Sequence, residues 1–92
     1  MYQLRKLENN LESVLKKFNV TETIDIKLTK NESFDLQINN LVKYKDNQNL
    51  SEIIENFQRV LDSEPFIKKY EIGEKNFINI EINLNEFLKT VE

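Results

Sequence analysis

Leu4, Leu7, Leu11, Val14, Leu15 and Phe18 recur at steps of three and four, which predicts an amphipathic helix over residues 2–18 with all six on one stripe. Arg5, Lys6, Glu8, Glu12, Lys16 and Lys17 fall on the opposite face, and the two lysines suit the negative end of the helix dipole. From Thr23 the period changes to two: Ile24, Ile26 and Leu28 alternate with Thr23, Asp25 and Lys27, the pattern of a strand with one buried face. Lys30 to Ser33 is a polar turn. Phe34, Leu36 and Ile38 continue the alternation, but Ile38, Leu41 and Val42 have helical spacing, so this segment begins extended and becomes a short helix near Asn39.

After a loop at Lys45 to Gln48, Asn49-Leu50-Ser51-Glu52 has the form of a capping box. Leu50, Ile53, Ile54, Phe57, Val60 and Leu61 then mark a helix that Pro65 stops from running past Glu64. Tyr70 and Ile72 predict a strand, Gly73 to Asn76 a turn, and Phe77 to Leu84 a strictly alternating strand that completes a hairpin. A final short helix is expected over Asn83 to Thr90, capped at Asn83 or Asn85, with Phe87 and Leu88 on its buried side. The fold class that follows is α+β: residues 1–92 form one domain, a small antiparallel sheet packed against helices.

Composition narrows the chemistry. In a chain of 92 residues about three fifths of the unfolded surface can be buried, so nearly every apolar residue is needed for one core. With no Cys and no His there is no thiol nucleophile, no disulfide and no imidazole for a metal or a general base. The abundance of Asn, Lys and Ile without any Ala reads as the drift of an A/T-rich genome. No apolar run approaches the length of a membrane span and Met1 leads straight into the first helix, so a cytoplasmic location is expected. The net charge of −3 argues against tight, autonomous binding of nucleic acid, which usually rests on a basic excess.

One residue breaks the phase of the last strand. Ile78, Ile80, Ile82 and Leu84 share one parity and are expected to face the core, which leaves Phe77, Asn79, Glu81 and Asn83 on the other. A phenyl ring beside a turn holding Lys75 and Asn76, with a carboxamide two residues further along the same face, offers one unpaired base a stacking surface and an edge-reading group. The competing structural reading has Phe77 tucked under a helix and Asn79 capping a loop. Lys43, Tyr44 and Lys45, and the pair Lys68-Lys69, are further candidates for phosphate contact, each equally well read as a solvated charge. Glu52 with Glu55, and Asp62 with Glu64, read as solvated carboxylates rather than a metal site.

The run Lys75-Asn76-Phe77-Ile78-Asn79-Ile80, followed by Glu86-Phe87-Leu88, resembles the segment G-F-I-N-F/I, then D/S-P-x-F-L, that closes the N-terminal domain of arginyl-tRNA synthetases. Upstream and in the same order, Asp35-Leu36-Gln37-Ile38-Asn39 resembles that family's G-D-Y-Q-S-N stretch and Asn49 to Glu55 its N-P-R-E-I-A-E stretch. The likeness covers residues 34–88. It departs at Phe34, Leu36, Leu50 and Asn76, where the family has Gly, Tyr, Pro and Gly, and no site is carried over to Gln37–Asn39.

The resemblance implies a tRNA-binding domain placed ahead of the catalytic domain of the same chain. Its partner would be the D loop of arginine tRNA, with Phe77 and Asn79 at the exposed base and Asn76 and Lys75 beside them. The H-I-G-H and K-M-S-K type signatures are missing, so ATP, Mg and the aminoacylation chemistry are implied only for a catalytic domain outside these residues; no cofactor, DNA or membrane is implied for this domain, and a monomer is expected. The alternative is a protein-interaction module that uses the same exposed hairpin face.

Overall fold

The computed structural model describes residues 2–89. Helix α1 spans Tyr2–Lys17, strand β1 Ile26–Leu28, strand β2 Leu36–Ile38, helix α2 Leu50–Asp62, strand β3 Ile67–Ile72, strand β4 Ile78–Ile82 and helix α3 Leu84–Phe87. A 3₁₀ turn over Asn40–Tyr44 follows β2, where the mixed spacing after Ile38 predicts a change from strand to helix. The four strands form one antiparallel sheet in the order β1-β2-β4-β3. The protein therefore has the α+β architecture that its periodicities predict. Among the described residues no helix is long and apolar enough to cross a membrane.

The stripe of α1 supplies Leu7, Leu11, Val14 and Leu15 to the core, and α2 supplies Ile53, Phe57 and Leu61. Both helices pack on the sheet face that carries Leu36, Ile38, Ile78 and Ile80. Each such side chain contributes about 1.5–3 kcal/mol by leaving water, so this layer holds most of the stability. Phe66 closes one end by meeting Phe87 of α3, with ring centroids 5.2 Å apart and planes at 50°.

Helix α1 ends because Asn19 takes a left-handed backbone, φ 63°, which Asn tolerates better than most residues. The Val20 N–H then reaches back to Leu15 O (3.0 Å) and the Asn19 N–H to Lys16 O (3.1 Å), a Schellman arrangement in which Val20 folds onto the core. Asn40 is fully buried and satisfied: its Oδ1 accepts from the Asp25 N–H (2.6 Å) and its Nδ2 donates to Thr23 O (2.9 Å). This amide holds the approach to β1 against the 3₁₀ turn. The preceding stretch, Thr23–Asp25, is thus ordered without being strand, and β1 is shorter than its alternation predicts.

Several local expectations are corrected. Asn49 makes no side-chain cap on α2; instead Asn47 Oδ1 accepts from the Asn49 N–H (2.7 Å) and Asn49 O accepts from Ile53 N (2.9 Å), so the start of α2 is fixed by an Asx turn. Strand β4 stops at Ile82 and Asn83 caps α3, its Oδ1 accepting from Glu86 N at 3.3 Å. That early stop turns Leu84 outward, 59% exposed, and Leu88 is likewise 62% exposed rather than packed. Thr90, expected at the end of this last helix, lies outside the described residues. Glu64 is buried at the end of α2 and is not the solvated carboxylate that its sequence suggests.

Candidate functional site on the open sheet face

One face of the sheet carries no helix among the described residues. In register across it run Lys27 of β1, Gln37 of β2, Asn79 of β4 and Glu71 of β3. Pleating turns these away from the core as surely as it turns Ile38 and Ile78 into it. The two central amides meet: Gln37 Nε2 donates to Asn79 Oδ1 at 3.0 Å. A cation at the β1 end of the row and a carboxylate at the β3 end favour this orientation of both amide dipoles, with each carbonyl toward the lysine and each NH₂ toward the glutamate. Among the described residues Asn79 Nδ2 and Gln37 Oε1 have no other side-chain partner, so the pair keeps one free donor toward β3 and one free acceptor toward β1.

Phe77 is half-buried and is not one of the side chains packed on the core. It precedes β4 rather than lying within it, yet its carbonyl still accepts from the Gly73 N–H (3.0 Å) and so closes the hairpin. The loop Glu74-Lys75-Asn76 is shaped by Asn76, whose φ of 67° is the left-handed conformation that a three-residue hairpin loop requires at its last position. Gly73, the one glycine, has no positive φ, so the permissive residue here is the asparagine. Lys75 and Asn76 line a shallow cleft of about 400 Å³ whose other wall is Val42 of the 3₁₀ turn and Lys45 just after it. Phe77 and Asn79 therefore belong to the strand face, and Lys75 and Asn76 to the rim of an adjoining cleft.

Further along β4, Glu81 forms ion pairs with Lys68 (3.8 Å) and Lys69 (3.9 Å). Two consecutive lysines reach one carboxylate because β3 is bulged: Ile67 pairs with Ile82 and Lys69 with Glu81, which leaves Lys68 as the extra residue. Lys69 Nζ also lies 5.5 Å from the centroid of the Phe34 ring. Phe34 carries the parity of Leu36 and Ile38, but it lies in the turn before β2, where strand phase no longer applies, and it is absent from the core. Sequence parity assigns it to the wrong side. The signal for its position, a contact with Lys69 more than thirty residues away, is not local.

Asp35 is structural: its Oδ2 accepts from the Ile82 N–H (2.9 Å), and its backbone N–H donates to Ile80 O (2.8 Å). Tyr44, adjoining the cleft-lining Lys45, donates its hydroxyl to Glu22, and burial with that acceptor pushes its pKa from 10.0 up to about 12. It is thus a fixed, neutral group at neutral pH. No protein-family model, curated protein or solved structure gives a significant match to this chain.

Proposed function

We propose that the open sheet face binds RNA by receiving one unpaired base on Phe77, with Asn79 meeting the edge of that base, in the manner of the tRNA-binding N-terminal domain of an arginyl-tRNA synthetase. One observation carries this reading: a ring outside the core and an amide held by Gln37 lie two residues apart along the chain, at the hairpin end of the sheet face that none of the described helices covers. Asn79 supplies a donor from Nδ2 to the acceptor of a base edge, with its carbonyl held by Gln37. Asn76 supports the likeness at the hairpin, because its left-handed backbone does there what a glycine would do.

Lys27, Lys68 and Lys69 stand on this face among Asp25, Glu71 and Glu81, with Lys27 3.9 Å from Asp25, so each ammonium offered to a phosphate backbone is drawn from an ion pair. In this reading the domain orients tRNA, and aminoacylation belongs to a catalytic domain of the same polypeptide.

The test is a titration of fluorescently labelled arginine tRNA with the wild type, Phe77→Ala and Asn79→Ala. Loss of one stacked base costs about 1–3 kcal/mol, so Phe77→Ala should weaken binding roughly 5- to 150-fold, and an abasic D-loop position should reproduce that loss. Unchanged binding by a folded Phe77→Ala protein overturns the proposal. So does unfolding caused by that substitution, since it would make the ring part of the core.

A further inference from the structure

We infer that the open face takes a short run of single-stranded RNA rather than one nucleotide, with Phe34 as a second stacking surface and Lys68 and Lys69 holding the phosphate beside it. The inference rests on the proposed base-binding role of Phe77 and extends it. Phe57 and Phe66 are buried, and Phe18 and Phe87 pack against the core; Phe34 and Phe77 do neither. Lys69 faces Glu81 in the sheet register and overlies the Phe34 ring, which puts that ring at the Glu81 end of β4, while Phe77 lies at the opposite end. Four residues of strand separate positions 77 and 81, about 13 Å at the usual rise, so the two rings are too far apart to serve one base. The Gln37–Asn79 amide pair lies between them. Aromatic rings spaced along an otherwise polar sheet are how other four-stranded sheets stack two or three successive bases.

Two ammonium donors fit the phosphate of such an occupant. Glu81 pairs with both Lys68 and Lys69 and Asp35 adjoins Phe34, so what the cluster offers beside the ring is two N–H-rich donors rather than a net positive charge. The β-bulge is what brings two ammonium groups to that spot, and an undistorted strand would turn one of them to the other face. The existing contact of Lys69 with Phe34 is an exposed cation–π pair, at the weak end of its class, and gives way readily to a stacked base with the ammonium moved onto the phosphate.

The experiment follows the ring resonances of Phe34 and Phe77 by NMR while the 92-residue chain is titrated with adenosine 5′-monophosphate and with single-stranded oligoadenylates of two, four and six nucleotides. The expected result is a response of Phe77 alone to the mononucleotide and of both rings to the tetranucleotide. Phe34→Ala should then weaken tetranucleotide binding roughly 5- to 150-fold, the range for one lost stacked base, with the mononucleotide unaffected. Lys68→Gln with Lys69→Gln should flatten the salt dependence by about 0.7 units of log–log slope, one phosphate contact's worth on a single strand. A response of Phe77 with Phe34 silent at every length overturns this inference and leaves the base-binding proposal standing. Silence of both rings at every length overturns the two together. The wild-type titration needs no substitution, so an unfolded variant cannot obscure the outcome.

Discussion

On the helix side of the sheet Leu36, Ile38, Ile78 and Ile80 are sealed from water, whereas the residues that alternate with them, Gln37 and Asn79, bond to each other on a face that none of the described helices covers. The same two strands therefore do two unlike jobs. Period-two geometry separates those jobs completely: a side chain on one face can change without touching its neighbour's packing. In a chain this small the buried face must supply nearly all of a stability of about 5–14 kcal/mol, and the open face is free to be polar, aromatic and charged.

The sharpest way to break this comparison is to truncate one residue on each face. Ile80→Ala removes a fully buried side chain from the centre of the core and should cost about 2–5 kcal/mol, enough to unfold much of the population of a marginal domain. Phe77→Ala, although it deletes a larger group, should cost under about 1 kcal/mol because the ring does not pack on that core. Urea denaturation followed by circular dichroism measures both. Equal losses at the two positions would mean that the open face is load-sharing core, and the division of labour between faces would be abandoned.

An amide from each side refines the same contrast. Asn40→Leu should cost about 2–4 kcal/mol, since it strands the Asp25 N–H and the Thr23 carbonyl without partners in a buried setting. Gln37→Leu should cost under about 1 kcal/mol, because water can replace it on the Asn79 carbonyl. A hydrogen-exchange measurement adds a local readout: Asp25 should lose its protection in the first variant and keep it in the second.

How much of this was legible in the residues depends on whether the deciding contact was local. The stripe of α1 and the phase of β4 follow from neighbours three, four or two positions away, and the structure carries the first over Tyr2–Lys17 and the second over Ile78–Ile82. The phase held for Ile78 and Ile80 and failed at Leu84, because Asn83 caps a helix and ends the strand first. The capping box at Asn49 failed for a comparable reason: Asn47, two residues earlier, competes successfully for the Asn49 N–H. Phe34 and the Gln37–Asn79 bond were out of reach. They depend on β2 lying against β4, a pairing across 42 residues that no spacing rule predicts. The resemblance pointed to Phe77 and Asn79 but gave no site at Gln37, the residue that sets the direction of the Asn79 amide.

pH probes the ground between the faces. Tyr44 is held protonated by burial and by its bond to Glu22, with its pKa raised from 10.0 to about 12. In the folded state it keeps its proton through a range where the unfolded chain releases it. The contribution is therefore complete below pH 10 and is lost as pH rises from about 10 to about 12, at up to about 1.4 kcal/mol per pH unit. Tyr44→Phe should flatten stability over that window, as read from urea midpoints at successive pH values. A window unchanged by the substitution would assign the alkaline loss to other groups, Tyr70 first, whose pKa is also raised by burial and by its bond to Asp62.

The smallest expected effect tests what sets Phe77 in its phase. Asn76 holds a left-handed backbone at φ 67°, and an alanine there should cost about 1 kcal/mol, the steric charge for a side chain in that region. Asn76→Gly should be neutral to within a few tenths, because glycine accepts the conformation freely but loses more chain entropy on folding. The two variants leave every side chain of the open face in place, so a difference between them in urea midpoint isolates the backbone. The same pair should part in RNA binding only as far as the alanine disturbs the loop, with the glycine variant matching the wild type. If alanine costs nothing, the loop can close without a left-handed residue. The bond from the Gly73 N–H to the Phe77 carbonyl is then not what turns the ring to the open face, and the orientation would have to come from the strand pairing of Ile78 with Ile38 and Ile72 alone.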